Sequence, residues 1–381
     1  MTRPALILFG FAIAVVIFAG CRRDGPDDTT PTPGRVGTPY QLIIPSNLPP
    51  MDVPVDDPMT VEGIALGRFL FYEKRLSGDN GMSCGTCHEP GISFTDGKSV
   101  PKGIDSIAGP RSTMPLINLG YNNFFFWDGR STTLEDQILH PVQNPIEMHE
   151  SWPNAVSKLR ADAAYPTLFA RAFGTDHIDS VLTAKAIAQF IRTMISGNSP
   201  FDKFRRGEAT LPVDAQVGFD LFKKEGGAIG QIIPVAGSTP VIGQGGADCF
   251  HCHTEAAGLF TDEQFHNNGL DTVFTDIGRS GVTNNPADMA KFKTPTLRNI
   301  MVTAPYMHDG RFATIDQVLD HYGSGGHASP TVDPFMKFTD PELELGLTPT
   351  KRLQIKAFLN ALTDEEFLTN PAFTDPGPPH L

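Results

Sequence analysis

Two short strings, Cys84-Gly85-Thr86-Cys87-His88 and Cys249-Phe250-His251-Cys252-His253, constrain this chain more than any other feature. Each sets two cysteines three positions apart, with a histidine directly after. A CxxC pair alone suits a redox dithiol or half of a zinc site, but a following His in both copies favours c-type haem attachment. On a short helix, residues at i and i+3 share a face. The two thiols can therefore form thioethers with the two vinyl groups of a haem while the next residue presents its imidazole to the iron. The chain has five cysteines and the fifth is Cys21, so none of these four needs a disulfide partner. The strings predict two covalent haems, with His88 and His253 as proximal ligands.

The chain also repeats itself. Phe94-Thr95-Asp96 follows the first string and Phe260-Thr261-Asp262 the second, and Asp128-Gly129-Arg130 is echoed by Asp309-Gly310-Arg311. A repeat of this kind reads as two related units. At 381 residues the chain has room for two lobes of the usual domain size of about 150 residues. Apolar spacing predicts helices over 63–74, 184–195 and 217–224, and another opening at Thr348-Pro349. Thr363 with Glu366 reads as a capping box for a last helix. Strand signals are weak, so the expected class is all-α, two haem domains with long Gly/Pro-rich loops. The loop over 226–246 is expected to wrap a haem.

Charge and the first residues bound the setting. Lys+Arg total 30 against Asp+Glu 43, a net charge of -13 that repels a phosphate backbone and argues against a nucleic-acid partner. A hydrophobic share of 40% suits buried cores. Thr2-Arg3, an apolar run over 5–19 and Phe18-Ala19-Gly20-Cys21 resemble a bacterial lipoprotein signal. The apolar run is shorter than the roughly 20 residues that span a bilayer. The reading is a signal peptide over 1–20, lipidation at Cys21 and a flexible tether over 21–50. An N-terminal haem domain over 51–205, a C-terminal one over 206–370 and a loose tail over 371–381 follow. Membrane contact is then through the lipid alone, on the periplasmic side. Arg22 stands where an Asp commonly retains lipoproteins at the inner membrane, so the outer membrane is favoured.

Together these strings resemble a known family. Gly109-Pro110-Arg111, Phe126-Trp127-Asp128-Gly129-Arg130, Pro145-Ile146-Glu147-Met148 and Pro305-Tyr306-Met307-His308-Asp309-Gly310 are similar to motifs of the bacterial diheme cytochrome c peroxidase and MauG family. The resemblance runs over about 55–365 and implies an all-α fold of two cytochrome c-like domains with one calcium ion between them. It implies that the N-terminal haem meets hydrogen peroxide, with Glu147 as acid-base, Gln137 as positioning group and Trp127 as electron relay. No histidine stands between His88 and His140, so the distal ligand that many relatives carry is missing, with His140 and His149 as alternatives. The sixth ligand of the second iron is expected at Tyr322, with Met307 and His321 in competition. The calcium would take oxygens from Ser112, Thr303 and Pro305, although Ser112 stands where the family often has Asn.

The implied activity is reduction of hydrogen peroxide with electrons from a small cytochrome c or cupredoxin through the C-terminal haem. Two alternatives remain open: a MauG-like oxidase of a protein or small organic substrate through a high-valent diheme state, and a non-enzymatic electron carrier. The tryptophan that MauG uses on its surface is replaced here by Ala247. A homodimer is compatible with the family.

Overall fold

The computed structural model describes residues 36–255, 257–340 and 342–380. The leader over 1–20 and Cys21 lie outside the described residues. No described helix is long and apolar enough to cross a membrane.

The protein is mostly helical. The first part of the chain carries α1 (Val61–Phe71), α2 (Cys84–Cys87), α3 (Leu134–Gln143), α4 (Trp152–Arg160), α5 (Ala164–Phe173) and α6 (Ser180–Arg192). The second carries α7 (Pro200–Arg205), α8 (Val213–Phe222), α9 (Ser280–Thr283), α10 (Ile315–Gly323), α11 (Pro349–Ala361) and α12 (Glu365–Leu368). Among the described residues there are four two-residue strands: β1 (Ile232–Ile233) pairs antiparallel with β2 (Val241–Ile242), and β3 (Phe265–His266) with β4 (Phe292–Lys293).

One helix crossing organises each core, and a glycine makes it close. In the first lobe Thr60 caps α1 by accepting the Gly63 amide, and Leu66, Leu70 and Phe71 turn fully inward. At Gly67 a Cβ would sit 1.8 Å from the Ala186 carbonyl of α6. In the second lobe a Cβ at Gly218 of α8 would sit 1.9 Å from the Gln354 carbonyl of α11. Phe219, Phe222 and Phe358 fill the core around that crossing.

Several expectations are shifted by packing. The α6 helix starts at Ser180 because Asp179 accepts the Leu182 amide, ahead of the apolar stripe. At the last helix the cap is Asp364, not Thr363: one carboxylate oxygen accepts the Phe367 amide and the other takes Ser196, Gly197 and Asn198. A hydroxyl lacks the acceptor sites for both tasks. The body-side part of the expected tether is not free, since over 36–50 the Tyr40 amide donates to Met59, Asn47 to Asp202, and Leu48 is 6% exposed. The expected loose tail likewise packs: Phe373 is buried and α12 joins the first core rather than the second. The loop over 226–246 folds as the β1–β2 hairpin, with Ile233 against Phe338 and Leu345, and lines neither haem-string cavity.

Because the neighbour at each crossing is backbone, which cannot rotate aside, Gly67→Ala and Gly218→Ala should each destabilise the protein by about 1–3 kcal/mol. Denaturant unfolding midpoints would measure this, and unchanged midpoints would contradict the close crossing.

Candidate haem sites and the seam between them

The first string forms α2, where the His88 amide closes onto the Cys84 carbonyl and places Cys84 and Cys87 on one face. The second string is a tighter turn, with the His253 amide donating to the Cys249 carbonyl. Both histidines are oriented alike. His88 Nδ1 donates to the Phe94 carbonyl at 2.6 Å and His253 Nδ1 to the Phe260 carbonyl at 3.2 Å. A carbonyl only accepts, so Nδ1 carries the proton and Nε2 is the unprotonated nitrogen, the one a metal can take. Burial holds both imidazoles below the usual range, His253 at about 4, so both are neutral as metal coordination requires.

The four cysteines are free of disulfides. Burial pushes the Cys84 and Cys249 thiols up to about 12 and Cys87 to about 11. A redox dithiol needs a lowered thiol instead. The residues present fit a covalently held haem in each lobe: paired thiols, a neutral imidazole with an unprotonated Nε2, and an adjoining cavity. The first cavity is about 710 Å³ and the second about 200 Å³.

Gln137, from the second turn of α3, and Glu147, from the loop after it, line the first cavity together with Cys84, Cys87 and His88. His140 and His149 do not line it: His140 is half-exposed beside Asp136, and His149 bonds Asp105 at 2.6 Å. His88 is the only histidine lining this cavity among the described residues. The sequence reading missed Asn144, whose Nδ2 donates to Glu147 Oε1 at 2.5 Å while its Oδ1 accepts the Ile146 amide. Its position before Pro145, at the end of α3, was the available signal. Burial raises the Glu147 carboxyl above its ordinary value, opposed by the Asn144 hydrogen bond and by the charges of Arg130 and His140.

Tyr322 and Met307 both line the second cavity. Asn268 Nδ2 lies 3.3 Å from the Tyr322 hydroxyl and 3.5 Å from Met307 Sδ, so one amide serves both candidate ligands. Burial pushes the Tyr322 phenol up to about 12. His321 is turned away, its Nε2 bonded to the Asn268 carbonyl at 3.0 Å. A further residue the sequence did not reveal is His266, held between Asp262 at 2.8 Å and Asp333 at 2.5 Å. Burial opposes its charging, but the two carboxylates prevail and raise it to about 12. Asp333 is distant in sequence, so no local pattern announces the pair.

Trp127 lines both cavities and is 9% exposed. Its indole N–H donates to the Ser112 carbonyl at 2.9 Å and its own carbonyl accepts the Lys293 amide at 2.8 Å. Ser112 also donates its hydroxyl to the Met307 carbonyl at 2.9 Å and its amide to His308. Alongside, Arg111 bridges Asp128 and Asp276, residues from the two halves of the chain.

Ser112, Thr303 and Pro305 share the second cavity's lining. These oxygens suit a hard cation whose remaining ligands would be waters, and no step is assigned to that ion. The one described cluster with metal-type donors is Glu225, Asp248 and His251. The Lys337 ammonium fills it, 2.6 Å from Glu225, 2.9 Å from Asp248 and 3.3 Å from His251.

Comparison with known proteins gives one consistent picture. A family profile described as di-haem cytochrome c peroxidase matches residues 61–210. The methylamine utilization protein MauG of Methylorubrum extorquens is 36% identical over 317 residues, 82% of this chain and 81% of the relative. The cytochrome c551 peroxidase of Nitrosomonas europaea is 31% identical over 286 residues, 74% of this chain and 78% of the relative. Among solved structures, a MauG-like protein associated with microbial copper homeostasis superposes with a TM-score of 0.75 at 34% identity, covering 88% of this chain and 99% of that one.

The raised Glu147 carboxyl has a stability signature. Its folded pKa lies above the unfolded value of about 4.3, so ionisation costs more in the folded state. Relative to Glu147→Gln, the wild type should lose stability as pH rises from about 4.3 through the folded pKa. Denaturant midpoints of both proteins between pH 4 and 8 would show the wild type falling relative to the variant, and a constant difference would contradict the burial argument.

Proposed function

The chain belongs to the di-haem cytochrome c peroxidase and MauG family, and from that premise we propose that it reduces hydrogen peroxide at the first-lobe haem, with electrons arriving through the second. It is a peroxidase-like oxidoreductase with two c-type haems. The observation that carries the finer reading is the meeting of Gln137 and Glu147 in the cavity of Cys84, Cys87 and His88, with no second histidine lining it.

The haem iron supplies the binding of peroxide and the redox change. The protein's own groups handle protons and position. Glu147 takes the proton from the oxygen nearer the iron and delivers it to the departing one, and Asn144 fixes its rotamer for that task. Gln137 orients the peroxide with its amide. Full reduction of each peroxide consumes two electrons and two protons and releases two waters. The electrons come one at a time from an external donor, a small cytochrome c or cupredoxin. Trp127, lining both cavities, relays them, with its indole N–H tied to Ser112.

At the second iron Tyr322 is the proposed sixth ligand in preference to Met307. The Asn268 amide donor supports an anionic phenolate oxygen more strongly than a thioether. A phenolate is a hard ligand that stabilises ferric iron, which lowers the potential. This same tyrosine favours a second reading, a MauG-like oxidase of a protein or small organic molecule. Export and lipid anchoring through Cys21 complete the proposal.

The deciding experiment adds one equivalent of hydrogen peroxide to the purified ferric protein without reductant. Fast loss of the high-spin ferric EPR signal is expected, and no reaction would overturn an open first haem. Rapid turnover with a small donor protein then supports the peroxidase over the oxidase. Glu147→Gln should slow peroxide reduction by about 10²–10⁴-fold with haem content unchanged. A rate within a few-fold of wild type would remove Glu147 from its assigned role.

A further inference from the structure

The backbone that receives the His88 hydrogen bond is held by parts of the chain remote from it. Ser93 and Phe94 are both left-handed, with φ of 56° and 60°, a costly pair of conformations for residues with side chains. Such strain persists only where the surroundings over-determine it. Here one side of the surroundings is local, with the Phe71 ring of α1 at 6.1 Å from Phe94, and the rest comes from the C-terminal half of the chain. The Phe94 ring is fully buried, 5.9 Å from the Phe367 ring and 6.0 Å from the Phe373 ring. The Ser93 hydroxyl accepts from Asn299 Nδ2 at 3.2 Å, and Asn299 Oδ1 accepts the Asp364 amide at 2.7 Å.

The terminal segment is itself anchored to α1 and its end. The Tyr72 hydroxyl donates to the Phe373 carbonyl at 2.5 Å, and Arg68 donates to the carbonyls of Pro371 and Thr374, each at 2.8 Å. The second lobe is built differently. Phe260, the acceptor for His253, is also left-handed at 55°, but its ring packs on Phe201, Phe222 and Phe358 of its own core. Among the described residues the terminal segment packs on the Phe94 ring, while the Phe260 ring is packed by Phe201, Phe222 and Phe358.

We infer that the stretch over 364–374, near the C-terminal end of the chain, is a positioning strap for the proximal ligand of the first haem. It presses Phe94 into the conformation whose carbonyl meets His88 Nδ1 at 2.6 Å. A hydrogen bond accepted there makes the imidazole a more basic ligand, which stabilises ferric iron and lowers the potential. The strap therefore tunes the first iron alone. The inference rests on the proposed haem at His88 and extends that reading from the distal side of the cavity to the proximal one.

Spectroelectrochemical titration of the holoprotein tests it, with each haem's wave assigned by its EPR signal. In Phe373→Ala the first-lobe wave should move to higher potential while the second-lobe wave stays. Phe373→Leu, which keeps the bulk, should restore it. Peroxide reduction should fall by about tenfold, at the low end of what outer-shell partners of a metal ligand cost. Tyr72→Phe, which keeps the ring and releases only the Phe373 carbonyl, should shift the first wave less but in the same direction. An unmoved first wave in both Phe373→Ala and Tyr72→Phe, or equal movement of both waves, overturns the strap. A wild type without two waves overturns the two-haem reading instead.

Discussion

The Ser112 peptide holds together the region on which both cavities depend. Its carbonyl receives the Trp127 indole, its amide reaches His308 and its hydroxyl reaches Met307. Through these contacts a residue of the first half fixes the large ring shared by both cavities and the backbone carrying a candidate ligand of the second iron. A neutral hydrogen bond contributes only about 1 kcal/mol net, so the importance of these three lies in direction rather than energy. Each fixes the direction of a group lining one or both cavities.

The charges inside this acidic protein are arranged to the same end. Arg298 is fully buried and pairs with Asp202 through two hydrogen bonds at 2.8 Å, beside the Asn47 amide. Arg111 joins the halves through Asp128 and Asp276, and Lys337 closes Glu225, Asp248 and His251 into one cluster. Buried pairs of this kind stabilise little relative to apolar packing, but losing one partner strands a charge. They specify one relative placement of the parts.

The two lobes use one plan with different supports. In both, a left-handed phenylalanine offers its carbonyl to a histidine, and an Asp-Gly-Arg turn leads into a helix capped by threonine. Gly129 and Gly310, with φ of 67° and 64°, make that turn affordable. The first lobe adds aromatic support from the end of the chain to that of its own Phe71, whereas the second relies on its own core. Similar strings thus face different cavities, 710 Å³ against 200 Å³.

Local chemistry was legible in the residues themselves. The CxxCH strings, the Thr348 cap and the helical class follow from spacing and side-chain type, since thiols at i and i+3, a hydroxyl before a helix and a 3.6-residue period act within a few positions. The motif around Glu147 and Gln137 was legible by resemblance, and the fold brings both to one cavity. Asn144, the His266 clamp by Asp262 and Asp333, and the strap over 364–374 were not. Neither was the exclusion of His140 and His149 from the first cavity. Each joins residues far apart in the chain or depends on where a side chain points, and those relations exist only once helices have packed. The sequence by itself determined which groups are candidates to bind the haems. The tertiary structure decided which groups face them, because direction and distance are properties of packing and not of order along the chain.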